Sequence, residues 1–333
     1  MGRHLSTQQF DQVLQRLSLE YDIYAPKRFE KQGRFSDTDV IRYDTIETLD
    51  EIVWDVKSTF SPKDVVIPVT QTLFFFTEEE YREPKASDRK ILVFLRPCDI
   101  NGFRRLDTIY LRNGEDPDFY YKRLRERIKF VMMECRESFD NCFCVSMGSN
   151  STEEYSMAVR FGEDGLRLDV PDESLQTFFD PDMKEMDFTP EFVQKNKQVV
   201  TPPEVEEMPS EVFDHEMWAQ YKKRCIACGR CTTHCVTCSC HTTMDFFYDN
   251  NALAGERRRV WASCHVKDFS LMAGGHDFRT DNGARMRFKV LHKVYDFKKR
   301  FGENMCVGCG RCDDNCPEYI SFANAVNALS EIV

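Results

Sequence analysis

An eleven-residue word with four cysteines is written twice in this chain, as Cys-Ile-Ala-Cys-Gly-Arg-Cys-Thr-Thr-His-Cys from Cys225 to Cys235 and as Cys-Val-Gly-Cys-Gly-Arg-Cys-Asp-Asp-Asn-Cys from Cys306 to Cys316. Both copies read C-x2-C-x2-C-x3-C. In that run three closely spaced thiolates wrap one 4Fe-4S cubane, and the fourth reaches across to the other cluster. The spacing therefore predicts Cys225, Cys228, Cys231 and Cys316 around one cluster, and Cys306, Cys309, Cys312 and Cys235 around a second. Gly229 with Arg230 and Gly310 with Arg311 recur in register. Glycine lets backbone amides approach the cluster sulfurs, and a cation offsets thiolate charge. Zinc is the competing reading, but structural zinc sites use separated C-x2-C knuckles and four ligands, so a third cysteine in register and a second copy of the word have no use there. One departure leaves an alternative open. Pro317 follows Cys316 as the pattern expects, whereas Val236 follows Cys235, so Cys238 and Cys240 compete with Cys235 for its ligand position.

Fifteen cysteines in metal-type spacings, in a chain of 333 residues, point to reduced thiolate ligands and not to a disulfide framework. No run of eighteen apolar residues exists and the N-terminus has no apolar signal segment, so the expectation is a soluble, cytoplasmic protein without membrane contact. A net charge of -11 argues against a nucleic-acid partner, which requires a basic face.

The length suits two domains. Pro181, Pro190, Pro202, Pro203 and Pro209 with many acids between them mark residues 179–214 as a linker, which separates an N-terminal domain, 1–178, from a C-terminal domain, 215–333. The predicted class is α+β: a mixed α/β domain, then a two-cluster, bacterial-ferredoxin-like domain with an insertion over 241–305. In the first domain Ser6 and Gln9 form a capping-box signature before the apolar face Phe10, Val13, Leu14 and Leu17. The apolar runs Ile91 to Leu95 and Ile128 to Met133 read as strands buried on both faces, with helical stretches at Phe103 to Leu111 and Phe119 to Glu126 between them. Glu163-Asp164-Gly165 reads as the turn of a hairpin.

Cys98 and Cys135 follow the two buried runs, and Cys142 and Cys144 come shortly after. Sites in parallel sheets form at the carboxyl ends of neighbouring strands, so four thiols converge if the two strands are neighbours. A third 4Fe-4S cluster, a zinc site and buried apolar cysteines all fit this irregular spacing. A catalytic thiolate at Cys98 is a further option, though no His stands nearby in sequence to activate it. In the insertion Cys238, Cys240 and Cys264 are spare. Arg257 to Arg259 and the basic stretch Arg285 to Lys299 read as a solvated helix face or a partner-docking face.

Over nearly its full length the chain resembles the A subunits of anaerobic sulfite reductases. The stretches that carry the likeness are Arg34-Phe35-Ser36-Asp37-Thr38-Asp39, Pro97-Cys98-Asp99-Ile100-Asn101, Asn141-Cys142-Phe143-Cys144-Val145-Ser146-Met147-Gly148, Cys225 to Cys240, Trp261 to His276, and Cys306 to Pro317. Sulfhydrogenase beta subunits look similar over the cysteine-bearing segments. The resemblance implies an oxidoreductase complex of dissimilatory type in which an NADH-oxidising flavin subunit feeds single electrons through this chain to a siroheme subunit that reduces sulfite to sulfide. It also implies that Cys98, Cys135, Cys142 and Cys144 hold a third cluster. On this reading the chain alone is an electron carrier with no substrate site and no catalytic residue. Two alternatives are an electron-transfer beta subunit of a cytoplasmic hydrogenase or sulfhydrogenase, and a protein whose iron–sulfur sites are purely structural.

Overall fold

The computed structural model describes residues 2–333 apart from Asp182 and Lys184. Its largest element is a seven-stranded mixed sheet in the order β1-β9-β8-β7-β6-β2-β3. The strands are β1 Gly2–Leu5, β2 Tyr21–Phe29, β3 Val40–Thr45, β6 Lys90–Leu95, β7 Ile128–Met133, β8 Met157–Gly162 and β9 Gly165–Asp169. The centre of the sheet, from β2 through β6 and β7 to β8, is parallel, and the edges are antiparallel. The two apolar runs are adjacent strands, with Ile91 opposite Ile128 and Leu95 opposite Met132.

Alternation along β6 and β7 sends side chains to two cores. Leu92, Phe94, Val131 and Met133 pack with helix α1, Thr7–Leu17, through Phe10, Val13, Leu14 and Leu17. Ser6 caps that helix, its Oγ accepting from Gln9 N at 3.2 Å while Gln9 Oε1 accepts from Ser6 N at 2.9 Å. On the other face Ile91, Val93, Leu95, Phe130 and Met132 pack with helix α2, Pro97–Leu111, through Ile100, Phe103 and Leu106. Helix α2 begins six residues before the stretch expected from Phe103, because Pro97 sits in its first turn, where a missing N–H costs nothing. Cys98 therefore lies in the first turn of a helix rather than in a loop. Helix α3, Phe119–Arg125, completes the β6-to-β7 crossover.

The second core also takes in Val236, just after the first cysteine word, and Val307 and Cys309 from the second, which seats the C-terminal part of the chain directly on α2. A third core joins helices Asn282–Leu291 and Phe322–Ser330 to Trp218, Tyr221, Phe143 and Met147, with Cys225, Cys306, Cys312 and Cys316 packed against it. A separate four-stranded sheet runs β10-β11-β4-β5, with β4 Thr70–Phe76, β5 Tyr81–Arg82, β10 His241–Tyr248 and β11 Asn251–Trp261. The insertion thus contributes a hairpin that pairs with a strand from the N-terminal third of the chain. Among the described residues no helix is long and apolar enough to cross a membrane.

Candidate iron–sulfur sites

Each cysteine word folds in the same local way. Ala227 (φ 58°) and Gly308 (φ 63°) occupy equivalent left-handed positions, as do Gly229 (φ 76°) and Gly310 (φ 71°). A helical turn follows in each copy, Arg230–Thr233 and Arg311–Asp314. The turned backbone aims amides at sulfur: Ala227 N donates to Cys225 Sγ at 3.4 Å, and Gly308 N donates to Cys306 Sγ at the same distance. Ile320 N donates to Cys316 Sγ at 3.3 Å. Hydrogen bonds of this kind favour the charged form of a thiolate ligand.

Cys225, Cys228, Cys231 and Cys316 line one pocket, together with His265, Lys289 and Cys312. The second grouping is Cys306, Cys309, Cys312 and Cys235. Cys306 and Cys309 both feel the Cys235 charge, and Cys312 feels those of Cys306 and Cys309. Cys238 shares the Cys235 corner and hydrogen-bonds it, whereas Cys240 hydrogen-bonds Cys264. Of the two competitors for the Cys235 position, Cys238 is thus the one standing beside it.

The donor chemistry fits cubanes. Grouped soft thiolates whose sulfurs accept backbone N–H groups are the donor set an iron–sulfur cluster uses.

A third grouping forms at the carboxyl ends of β6 and β7. Cys98 neighbours Cys144, and Cys144 neighbours Cys142 and Cys135. This group abuts the second cysteine word. The Cys142 thiol donates to the Cys309 carbonyl at 3.6 Å, and Phe143 N donates to the Gly308 carbonyl at 2.8 Å. Lys57 joins the two, donating to the Cys309 carbonyl at 3.0 Å and pairing with Asp314 at 2.5 Å, with Cys142 Sγ at 3.8 Å. The Cys306 grouping consequently lies between the other two, touching the Cys98 grouping on one side and sharing the wall of the Cys225 cavity through Cys312 on the other.

The electrostatics of the groupings differ. Burial works against the Cys231 thiolate, but Lys289 and His265 hold its thiol down at about 6. The hydrogen bond from Cys238 holds the Cys235 thiol well below its ordinary value, against burial and with help from Lys293. Burial dominates at the N-terminal thiols: it pushes Cys144 up to about 12, drives Cys98 well up against the pull of Arg311, and raises Cys135 against the pull of Arg96.

The buried cations are what the sequence reading missed. Arg285, Lys289 and Lys293 were expected on a solvated or docking face, yet they are buried on one side of a helix that turns toward the thiolates. Lys289 donates to the Cys231 carbonyl at 2.8 Å, and Lys293 donates to Thr237 Oγ1 at 2.7 Å. Lys63 reaches in from the N-terminal third and donates to the Thr232 and Cys238 carbonyls, both at 3.1 Å. The signal was present as cations at i, i+4 and i+8, which lie on one helix face. Arg257 to Arg259 also form no helix face. They lie on β11 and are paired with Asp245, Glu256 and Asp118, respectively.

Residues 224–320 match the model of the 4Fe-4S dicluster domain family. The chain carries 4Fe-4S clusters. Over 98% of its length it is 28% identical to the sulfhydrogenase 2 subunit beta of Pyrococcus furiosus, 98% of which is covered. No solved structure matches it. It is an iron–sulfur protein.

Proposed function

We propose that this chain is the electron-transfer subunit, of beta type, of a hydrogenase- or sulfhydrogenase-like oxidoreductase. The observation that carries the reading is the length of the similarity to the Pyrococcus furiosus subunit, which extends through the N-terminal α/β part as well as the dicluster domain. On this reading Cys225, Cys228, Cys231 and Cys316 hold one cluster, Cys306, Cys309, Cys312 and Cys235 a second, and Cys98, Cys135, Cys142 and Cys144 a third. When bound, such clusters supply one-electron transfer at potentials tuned by hydrogen bonds to sulfur, local charge and solvent exposure. The chain's own residues do the tuning: Ala227 N, Gly308 N and Ile320 N donate to sulfur, and buried Lys289 and Lys293 offset thiolate charge. Lys57 and the 141–144 loop keep the N-terminal and second groupings in contact. Because none of the fifteen cysteines is in a disulfide, a reducing compartment such as the cytoplasm suits the chain.

A second reading keeps the same groupings but replaces the partners with an NADH-oxidising flavin subunit and a siroheme subunit, and it rests on the motif stretches that resemble anaerobic sulfite reductases. Anaerobic purification under mild conditions, with identification of the bound subunits, separates the two. A co-purifying nickel subunit and hydrogen-dependent bleaching of the cluster absorbance are expected. Siroheme and NADH-driven sulfide release, lost when this chain is omitted, would replace the hydrogenase reading with the sulfite one.

A further inference from the structure

The two cysteine words differ in what faces solvent. Cys228 is exposed, whereas its counterpart Cys309 is buried. Around Cys228 stand Ile226, 58% exposed, Val266, 44% exposed, and Tyr319, 88% exposed. They are neighbours: a Cβ added at Gly229 would lie 3.3 Å from Val266 Cγ2, and Arg224 Nη2 donates to the Tyr319 carbonyl at 3.3 Å. Several large apolar side chains left in water at one place mark a contact surface.

The rim of this patch is basic, although the chain has a net charge of -11. Arg224, which donates to the Glu318 and Tyr319 carbonyls, its chain neighbour Lys223, and Lys267, the chain neighbour of Val266, are exposed, and among the described residues none of them has a carboxylate partner. Asp268 and Glu318 are the exposed acids beside them. Lys222, on the same helical turn, is neutralised by Asp281 at 3.3 Å. Exposed cations around an apolar centre raise the encounter rate with an acidic partner more than they raise the stability of the complex. That property suits a partner that binds, exchanges an electron and leaves.

We propose that this face docks an acidic, diffusible iron–sulfur protein, which exchanges single electrons with the chain at the Cys225 grouping. The proposal rests on the reading that this grouping holds a cluster. In each encounter one electron leaves the reduced carrier and enters the oxidised chain, and no proton or atom moves.

The test is stopped-flow reduction of the cluster-loaded full chain by an acidic [2Fe-2S] ferredoxin, with salt raised from about 20 mM to about 500 mM. The rate falls steeply with salt for the native chain. The double variant Lys223→Glu with Lys267→Glu slows the reaction about tenfold at low salt and flattens its salt dependence. A control of equal net charge, Lys85→Glu with Lys195→Glu, changes the rate less than twofold. Equal slowing by both double variants, or none by the first, overturns the docking proposal. So does a concentration-dependent dimer in sedimentation that the first double variant abolishes, since the patch would then belong to a second copy of the chain. Dithionite keeps the two claims apart: if it produces no change in visible absorbance, the cluster reading fails, whereas bleaching with an unaltered ferredoxin rate sinks the docking proposal alone.

Discussion

The first and second cysteine words share their spacing, their local backbone and their Gly-Arg pair, yet the molecule treats them oppositely. The first is a surface loop, with Cys228 and Ile226 exposed. The second is an internal joint. A Cβ at Gly308 would stand 2.5 Å from the Phe143 carbonyl, and one at Gly310 would stand 2.0 Å from the Asn141 oxygen. The arginines diverge likewise: Arg230 is half-buried, whereas Arg311 is fully buried, pairs with Asp99 at 2.5 and 2.9 Å, and donates to the Ser58 carbonyl at 3.0 Å. A duplicated ligand motif therefore carries the same chemistry twice while position in the fold assigns different duties. One copy faces solvent, and the other passes contact on to the N-terminal thiols.

The sharpest way to break this comparison is at the arginines. Arg311→Ala leaves Asp99, on α2 beside Cys98, buried without its cation, which costs about 3–5 kcal/mol. Arg230→Ala, at the equivalent position, should stay within about 0.5 kcal/mol. Anaerobic denaturant unfolding of both variants measures the difference, and similar midpoints for the two would remove the asymmetry. A smaller separation is expected at the left-handed residues before the second cysteine of each word. Gly308→Ala adds left-handed strain of about 1–2 kcal/mol and a clash with the Phe143 backbone. Ala227→Gly relieves the same strain with nothing to clash, so it is neutral or stabilising by up to about 1 kcal/mol. Thermal unfolding of the pair decides it.

The least effect is expected at the turn Pro62–Val65, whose Lys63 supports the carbonyl side of the first word. Asp64 Oδ1 is buried there without a hydrogen-bond partner, and burial raises its carboxyl to about 6. Its folded pKa lies above its unfolded value, so the native state holds the proton longer. The associated stability is complete below about pH 4 and is lost as pH rises through 6. Between pH 5 and 7 the native chain should lose about 1 kcal/mol relative to Asp64→Asn. Parallel unfolding curves across that range would show that Asp64 is solvated.

The legible parts were those written in local spacing. The two cysteine words, the capped helix α1 and the doubly buried runs that became β6 and β7 each carry their cause within a dozen residues. What escaped is tertiary. Pairing of β4 with β11 joins segments far apart in sequence, and neither strand signals its partner. Arg285, Lys289 and Lys293 look like any basic helix face until the thiolates opposite them are known. The N-terminal group of Cys98, Cys135, Cys142 and Cys144 has no regular spacing, because the sheet, and not the chain, gathers it.

The second word's place as an internal joint serves electron transfer only if the N-terminal thiols hold a third cluster. The direct measurement is iron and acid-labile sulfide per chain in anaerobically purified, fully loaded protein. Three cubanes give about twelve irons with equal sulfide, falling to about eight in Cys98→Ser. A native chain that saturates near eight irons, unchanged by Cys98→Ser, would contradict the account.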